Sequence, residues 1–216
     1  MRRRSTRPRT RGAEAIRPPL PTRTLRGAAI LPHLAALARL RIEVFRAWPY
    51  LYDGDEAYER DYVATYAASE RAAIVIASDG ETIVGASTCL PLSDEDEPMQ
   101  APFRAAGIDP ASVFYFGESV LLPAYRGRGI GVGFFREREA HARSVSDAAY
   151  AAFCAVIRDE ADRRRPADAT TLDAFWRKRG YAPVPDLVCR MRWRERGGAG
   201  EVENRLQVWM KPLGGA

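Results

Sequence analysis

The run Arg126-Gly127-Arg128-Gly129-Ile130-Gly131 constrains this chain more than any other stretch. An apolar segment, residues 113–122, leads into Pro123-Ala124-Tyr125, then three alternate glycines, then Val132-Gly133-Phe134-Phe135-Arg136-Glu137-Arg138-Glu139. That order predicts strand, tight loop, helix. A helix begun this way leaves its first backbone N–H groups without intrahelical partners, aimed at one spot that the helix dipole makes attractive to negative charge. The loop is therefore a candidate pyrophosphate seat. Glycine suits it because a Cβ would keep a phosphate oxygen from the amides, and because the turn calls for positive φ. The spacing departs from the dinucleotide motif G-x-G-x-x-G, which also requires an acidic residue about 20 positions on, in the next strand. The next predicted strand, residues 150–157, carries none.

Around this element the hydrophobic pattern switches between two periods. Leu34, Leu37, Leu40, Val44, Phe45 and Trp48 recur at helical spacing behind Pro32, and Pro49 stops the run. A second helix follows Asp53, Asp55 and Glu56, with acid at its positive end, and carries Tyr58, Tyr62 and Tyr66 along one stripe. Residues 23–30 predict a short first strand. Ala73-Ile74-Val75-Ile76 and Thr82-Ile83-Val84-Gly85 flank Asp79-Gly80, a hairpin turn signal. After Pro91, Ser93-Asp94-Glu95-Asp96-Glu97 reads as an acidic loop, which either attracts a cationic amine or is merely solvated, and residues 99–107 have weak helical character. The continuous apolar run 151–157 predicts a buried strand of a partly parallel sheet, with Cys154 in it as a small hydrophobe. A short helix over 172–179 is stopped by Gly180. Leu187, Cys189, Met191 and Trp193 then alternate with Val188, Arg190, Arg192 and Arg194, a strand with one buried and one mainly basic face, and residues 206–210 make the last strand.

Composition removes several function classes. At 216 residues the chain has a one-domain length, and no run approaches the roughly 18 apolar residues of a membrane span. Three cysteines without a C-x-x-C, and two histidines, argue against a zinc site or disulfide framework and for a reducing, cytoplasmic setting. Nine arginines and one glutamate fall in residues 1–27, so the other 189 residues, with 24 basic and 27 acidic side chains, are net −3. The Arg-rich opening lacks an apolar face or a signal-peptide core and is expected to be a disordered, solvated tail.

A strand, a proline two residues before an aromatic, then R-x-x-G-x-G entering a helix resembles the acetyl-CoA-binding motif of the GNAT (Gcn5-related N-acetyltransferase) superfamily. The order of elements is similar over residues 22–212. The resemblance implies an α/β (α+β) protein: a central mixed, mostly antiparallel sheet flanked by helices, one domain over 22–212 behind a tail over 1–21. It implies acetyl-CoA as co-substrate, bound by Val120, Leu121, Leu122, Arg126, Gly127, Arg128, Gly129, Ile130 and Gly131. Strand amides near Val120 to Leu122 would polarise the thioester carbonyl. The strand over 151–157 would splay from its neighbour to admit the pantetheine arm. The first two helices and their loop would wall the acceptor site, so Trp48, Tyr50 and Tyr52 are candidate acceptor contacts, or else packing on the sheet. The implied partner is an amine on a small molecule or peptide, without membrane or nucleic acid, and homodimers are common in the family.

In the implied reaction the amine attacks the thioester directly, and something must take its proton. Glu118, a carboxylate in an otherwise apolar strand, is the candidate base, or else it pairs with an arginine or faces water. Phe175-Trp176-Arg177-Lys178-Arg179-Gly180-Tyr181 resembles the family's closing L-Y-x-x-x-G-F in part. Trp176 stands where many members have the tyrosine that protonates the leaving thiolate, and Ala169 where the family often has an asparagine. That departure keeps a second reading open, a GNAT-fold CoA sensor without turnover. A third, a nucleic-acid-associated protein, would rest on the arginine tail alone.

Overall fold

The computed structural model describes residues 20–214; the expected tail falls outside the described residues over 1–19. In chain order the elements are β1 (Thr22–Leu25), α1 (Leu34–Phe45), α2 (Glu56–Ala68), β2 (Ala73–Asp79), β3 (Thr82–Pro91), α3 (Glu97–Ala105), β4 (Val113–Tyr115), β5 (Ser119–Leu121), α4 (Ile130–Val145), β6 (Tyr150–Val156), α5 (Asp173–Arg177), β7 (Ala182–Arg194) and β8 (Glu201–Pro212). The sheet runs β1-β2-β3-β4-β6-β8-β7, with β5 continuing β4 along β3. Every pairing is antiparallel except β4 with β6.

Side-chain alternation builds the two layers. Ile74, Ile76, Val113, Tyr115 and Val120 face α1 and α2. Their neighbours Ala73, Val75, Phe114, Phe116 and Leu121 face α4. Both faces are covered, so the sheet strands read as apolar runs; each fully buried Leu- or Phe-sized side chain contributes about 1.5–3 kcal/mol.

Several expectations change in the folded chain. The first strand ends at Leu25, because Gly27 turns the backbone to φ +50° and residues 27–33 form a tight 3-10 helix. The acidic segment is not all loop: the Asp96 carboxylate accepts the Met99 N–H at 3.2 Å and starts α3. Tyr58 stands exposed at the open end of α2, while Tyr62 and Tyr66 meet at 3.1 Å between hydroxyls. Met191, expected on the buried face of β7, is 41% exposed beside exposed Val202, where the β7–β8 hairpin runs past the helices.

The predicted single strand over 113–122 is two strands. Leu90 opposes Tyr115 while Ser87 opposes Ser119, so two residues of β3 face three residues, Phe116-Gly117-Glu118, of the other chain segment. That is a β-bulge. Gly117 makes it possible, since a Cβ there would lie 2.5 Å from the Tyr66 hydroxyl and 2.7 Å from Thr88 Oγ1. Arg138 of α4 braces the bulge from the opposite face. Its buried guanidinium lies 4.3 Å from the Phe116 ring centre and donates to the Glu118 and Thr88 carbonyls at 3.2 and 3.4 Å.

Candidate active site

Downstream of the bulge the sheet opens. Phe116 N–H donates to the Ala152 carbonyl at 2.7 Å, and the β4–β6 pairing goes no further. Beyond it β5 pairs only with β3, and β6 runs on to Val156 paired only with β8. The two inner strands therefore leave unpaired edges facing each other, the splay expected from sequence.

Which amides face that opening follows from the ladder. Thr88 N–H donates to the Glu118 carbonyl at 3.1 Å and Leu122 N–H to the Val84 carbonyl at 3.0 Å. Glu118 N–H is taken by Thr88 Oγ1 at 3.1 Å, and Val120 sits opposite Ala86 midway. Antiparallel alternation thus turns the amides of 118, 120 and 122 toward β3 and those of Ser119 and Leu121 toward the gap. Val120 and Leu122 are corrected accordingly: their N–H groups are engaged within the sheet and cannot polarise a bound carbonyl. Ser119 is the residue sequence reasoning missed; strict alternation from a known register would have found it.

The opening ends at the glycine loop. Gly127 and Gly129 adopt φ +75° and +79°, and a Cβ at either would meet no heavy atom within 4 Å. Gly129 caps α4 without a side-chain bond, and its carbonyl takes only the Val132 and Gly133 N–H groups. The amides of Ile130 and Gly131, at the first turn, project out of the helix end. Gly131 has no positive φ; a Cβ there would press on Phe175 at 3.3 Å. Arg126 is exposed and reaches back to the Leu121 carbonyl at 3.4 Å, and Arg128 lies 5.4 Å from the Tyr125 ring centre. Open space over left-handed glycines, outward amides and two arginines form a donor set that fits a pyrophosphate.

On the α1–α2 face, Glu118 is carried inward by the bulge and is 9% exposed. Its carboxylate pairs with Arg41, which also binds Glu59; both partners of Arg41 are buried. The Arg41 guanidinium lies between the rings of Phe45 and Tyr62, 5.2 and 4.2 Å from their centres. Burial opposes its charge, but Glu118, Tyr62 and Glu59 more than offset that and hold its pKa above the ordinary arginine value. The Tyr62 hydroxyl donates to Glu118 at 3.4 Å.

The three aromatic candidates separate in space. Tyr50 packs on Phe45 and Trp193, at 4.4 and 5.8 Å between ring centres, and its phenol is raised by burial and then by Cys154 and Glu118, which places it beside the bulge. Tyr52 gives its hydroxyl to Glu59, behind Arg41. Trp48 lies against Arg158, 5.9 Å from its ring centre, at the outer end of the same loop. Arg158 holds that loop in place, donating to the Pro49 and Tyr50 carbonyls at 2.6 and 2.9 Å while paired with buried Glu195 at 2.6 Å.

The free Cys154 thiol is hydrogen-bonded with the Tyr115 hydroxyl and the Cys189 thiol, and the Cys189 contact and burial raise it well above the ordinary value. It is not an activated nucleophile. On the α4 face, Trp176 packs 5.1 Å from Phe153 and 5.0 Å from Trp209, between ring centres. Among the described residues no group of His, Cys, Asp or Glu is arranged to hold a metal, and no helix is long and apolar enough to cross a membrane.

No family model matches this sequence, and no curated protein does. Solved structures do match. A ribosomal-protein-alanine N-acetyltransferase from Brucella melitensis aligns at TM-score 0.55 and 16% identity, over 89% of this chain and 99% of that one. A structure from Salmonella typhimurium, named with its cofactor acetyl-CoA, aligns at 0.56 and 10%, over 90% and 95%. An aminoglycoside 6'-N-acetyltransferase complexed with coenzyme A aligns at 0.56 and 15%, over 90% and 98%. The chain has the GNAT acetyltransferase fold.

Proposed function

We propose that this chain is a GNAT-type N-acetyltransferase, binding acetyl-CoA across the β5–β6 opening and passing its acetyl group to an amine by direct attack. One observation carries the reading: the unpaired edge of β5, with the Ser119 and Leu121 amides, ends at an uncapped helix terminus whose left-handed glycines have open space above them. A thioester-bearing pyrophosphate ligand needs both features, and nothing in the packing of the domain requires either. When bound, acetyl-CoA supplies the activated acyl group. The residues of this chain then have separate tasks. The amides of Gly129, Ile130 and Gly131, with Arg126 and Arg128, hold the phosphates. The Ser119 and Leu121 N–H groups face the acyl carbonyl and favour charge developing on its oxygen. Glu118, Tyr50 and Tyr62 line the acceptor side. Trp176 cannot protonate the thiolate, so that proton comes from the amine itself. The buried, unpaired cysteines support a reducing, cytoplasmic setting.

A second reading, a CoA sensor without turnover, is favoured only by Trp176. Two measurements decide. Acetyl-CoA at about 100 times its Kd should stabilise the fold by about 2.7 kcal/mol, and an unmoved melting temperature with no calorimetric binding would sink both readings. Release of CoA thiol that depends on an added amine separates enzyme from sensor.

A further inference from the structure

The four carboxylates of the acidic segment have different fates. Asp94 accepts from Ser69 Oγ at 2.8 Å and Arg71 at 2.9 Å, Asp96 caps α3, and Glu97 pairs with Arg104. Glu95 stands apart. Its backbone is pinned by its N–H to the Leu92 carbonyl at 3.1 Å and by Gln100 Nε2 to its own carbonyl at 2.6 Å. Within residues 93–97 Glu95 alone is partly buried while the other four are exposed, and its charge is felt by Glu118 in the bulge, Tyr62 and Tyr66 of α2, Tyr115 of β4 and Cys154 of β6. Those are the groups of the acceptor face. Among the described residues no arginine or lysine forms an ion pair with Glu95. Glu118 differs, because Arg41 holds one of its oxygens and the Tyr62 hydroxyl donates to the other, and a carboxylate held by a guanidinium is a poor proton acceptor.

We propose that Glu95 takes the proton of the acceptor's ammonium group, while Glu118 stays fixed in its ion pair with Arg41. The assignment rests on the acetyl-transfer reading. The acceptor arrives as R–NH3+, attracted by a carboxylate that no cation holds among the described residues. Glu95 receives one proton and the neutral amine nitrogen forms its bond to the acetyl carbon. The carbon–sulfur bond breaks with its electron pair on sulfur, and a second nitrogen-borne proton passes to that thiolate. The products are R–NH–acetyl, CoA thiol and protonated Glu95, which returns its proton to water. Burial, and then the neighbouring charges of Asp96 and Glu118, push the Glu95 carboxyl up to about 7, where a base for neutral-pH work belongs. The facing phenols of Tyr62, Tyr66 and Tyr115 and the Cys154 thiol are all raised and stay protonated there.

The test follows CoA-thiol release from acetyl-CoA with ethylenediamine, spermidine, tyramine and glycyl peptides as probes, across pH 5.5–9.5, for wild type, Glu95→Gln, Glu95→Asp and Glu118→Gln. Wild-type kcat/KM should rise through about pH 7. Glu95→Gln should lose that limb and roughly 10²- to 10⁴-fold in kcat near neutrality, with the deficit closing toward the amine's own pKa. Glu95→Asp should keep the limb, moved along the pH axis, and Glu118→Gln should keep it but move it to lower pH, because the Glu118 charge helps raise the Glu95 carboxyl. An unchanged limb in Glu95→Gln, with wild type active, overturns the assignment of Glu95 alone. Amine-independent thiol release, or none, from wild type that binds acetyl-CoA overturns it together with the transferase reading.

Discussion

Arg41→Met removes one charge and keeps an unbranched apolar stem between Phe45 and Tyr62. The consequence can be worked from the pairing. Arg41 is 8% exposed and is the cation for two carboxylates, Glu59 at 1% and Glu118 at 9%. Removing one partner of a buried pair costs about 3–5 kcal/mol, since the remaining charge is neither solvated nor compensated. Here two carboxylates are stranded, with Tyr52 and Tyr62 hydroxyls as their remaining donors. At about 2–4 °C per kcal/mol for a chain of this size, the melting temperature should fall by roughly 6–20 °C. Differential scanning calorimetry at pH 7 measures it. The triple variant Arg41→Met, Glu59→Gln, Glu118→Gln should recover most of the stability, because an uncharged cluster has no ion left to desolvate. Acetyl-CoA should still raise the melting temperature of both. A loss under about 1 kcal/mol, or a triple variant as unstable as the single one, would refute the view that this charge cluster governs the site's stability.

Two further outcomes test separate parts. Gly129→Ala meets no heavy atom but forces a Cβ onto φ +79°, so it should cost about 1–2 kcal/mol and abolish most of the acetyl-CoA-induced thermal shift; an undiminished shift would move the phosphates elsewhere. Glu95→Gln should stabilise the free protein increasingly with pH. A carboxyl raised from 4.5 to about 7 gives stability that is fully present below pH 4.5 and is lost as pH rises through about 7, so its removal should return up to about 3 kcal/mol by pH 8 and almost nothing at pH 4. A pH-independent difference in urea unfolding would place Glu95 in solvent.

Local chemistry decided what was legible in the chain alone. The glycine loop, the Asp79-Gly80 hairpin and the start of α2 at Asp55 rest on positive φ, turn geometry and a side-chain cap, all settled within a few residues. The alternating runs placed the strands of both layers because period-two burial belongs to any covered sheet. Tertiary structure alone decided the bulge, since its extra residue exists only relative to β3, and with it which amides face the gap. It decided that Glu118 belongs to Arg41, 77 positions earlier in the sequence. It also decided that Glu95, one of four similar carboxylates in a short acidic run, is the one partly buried. Hydrogen-bond register and ion-pair choice depend on which distant segments meet, and no local pattern of hydrophobicity or charge encodes that meeting.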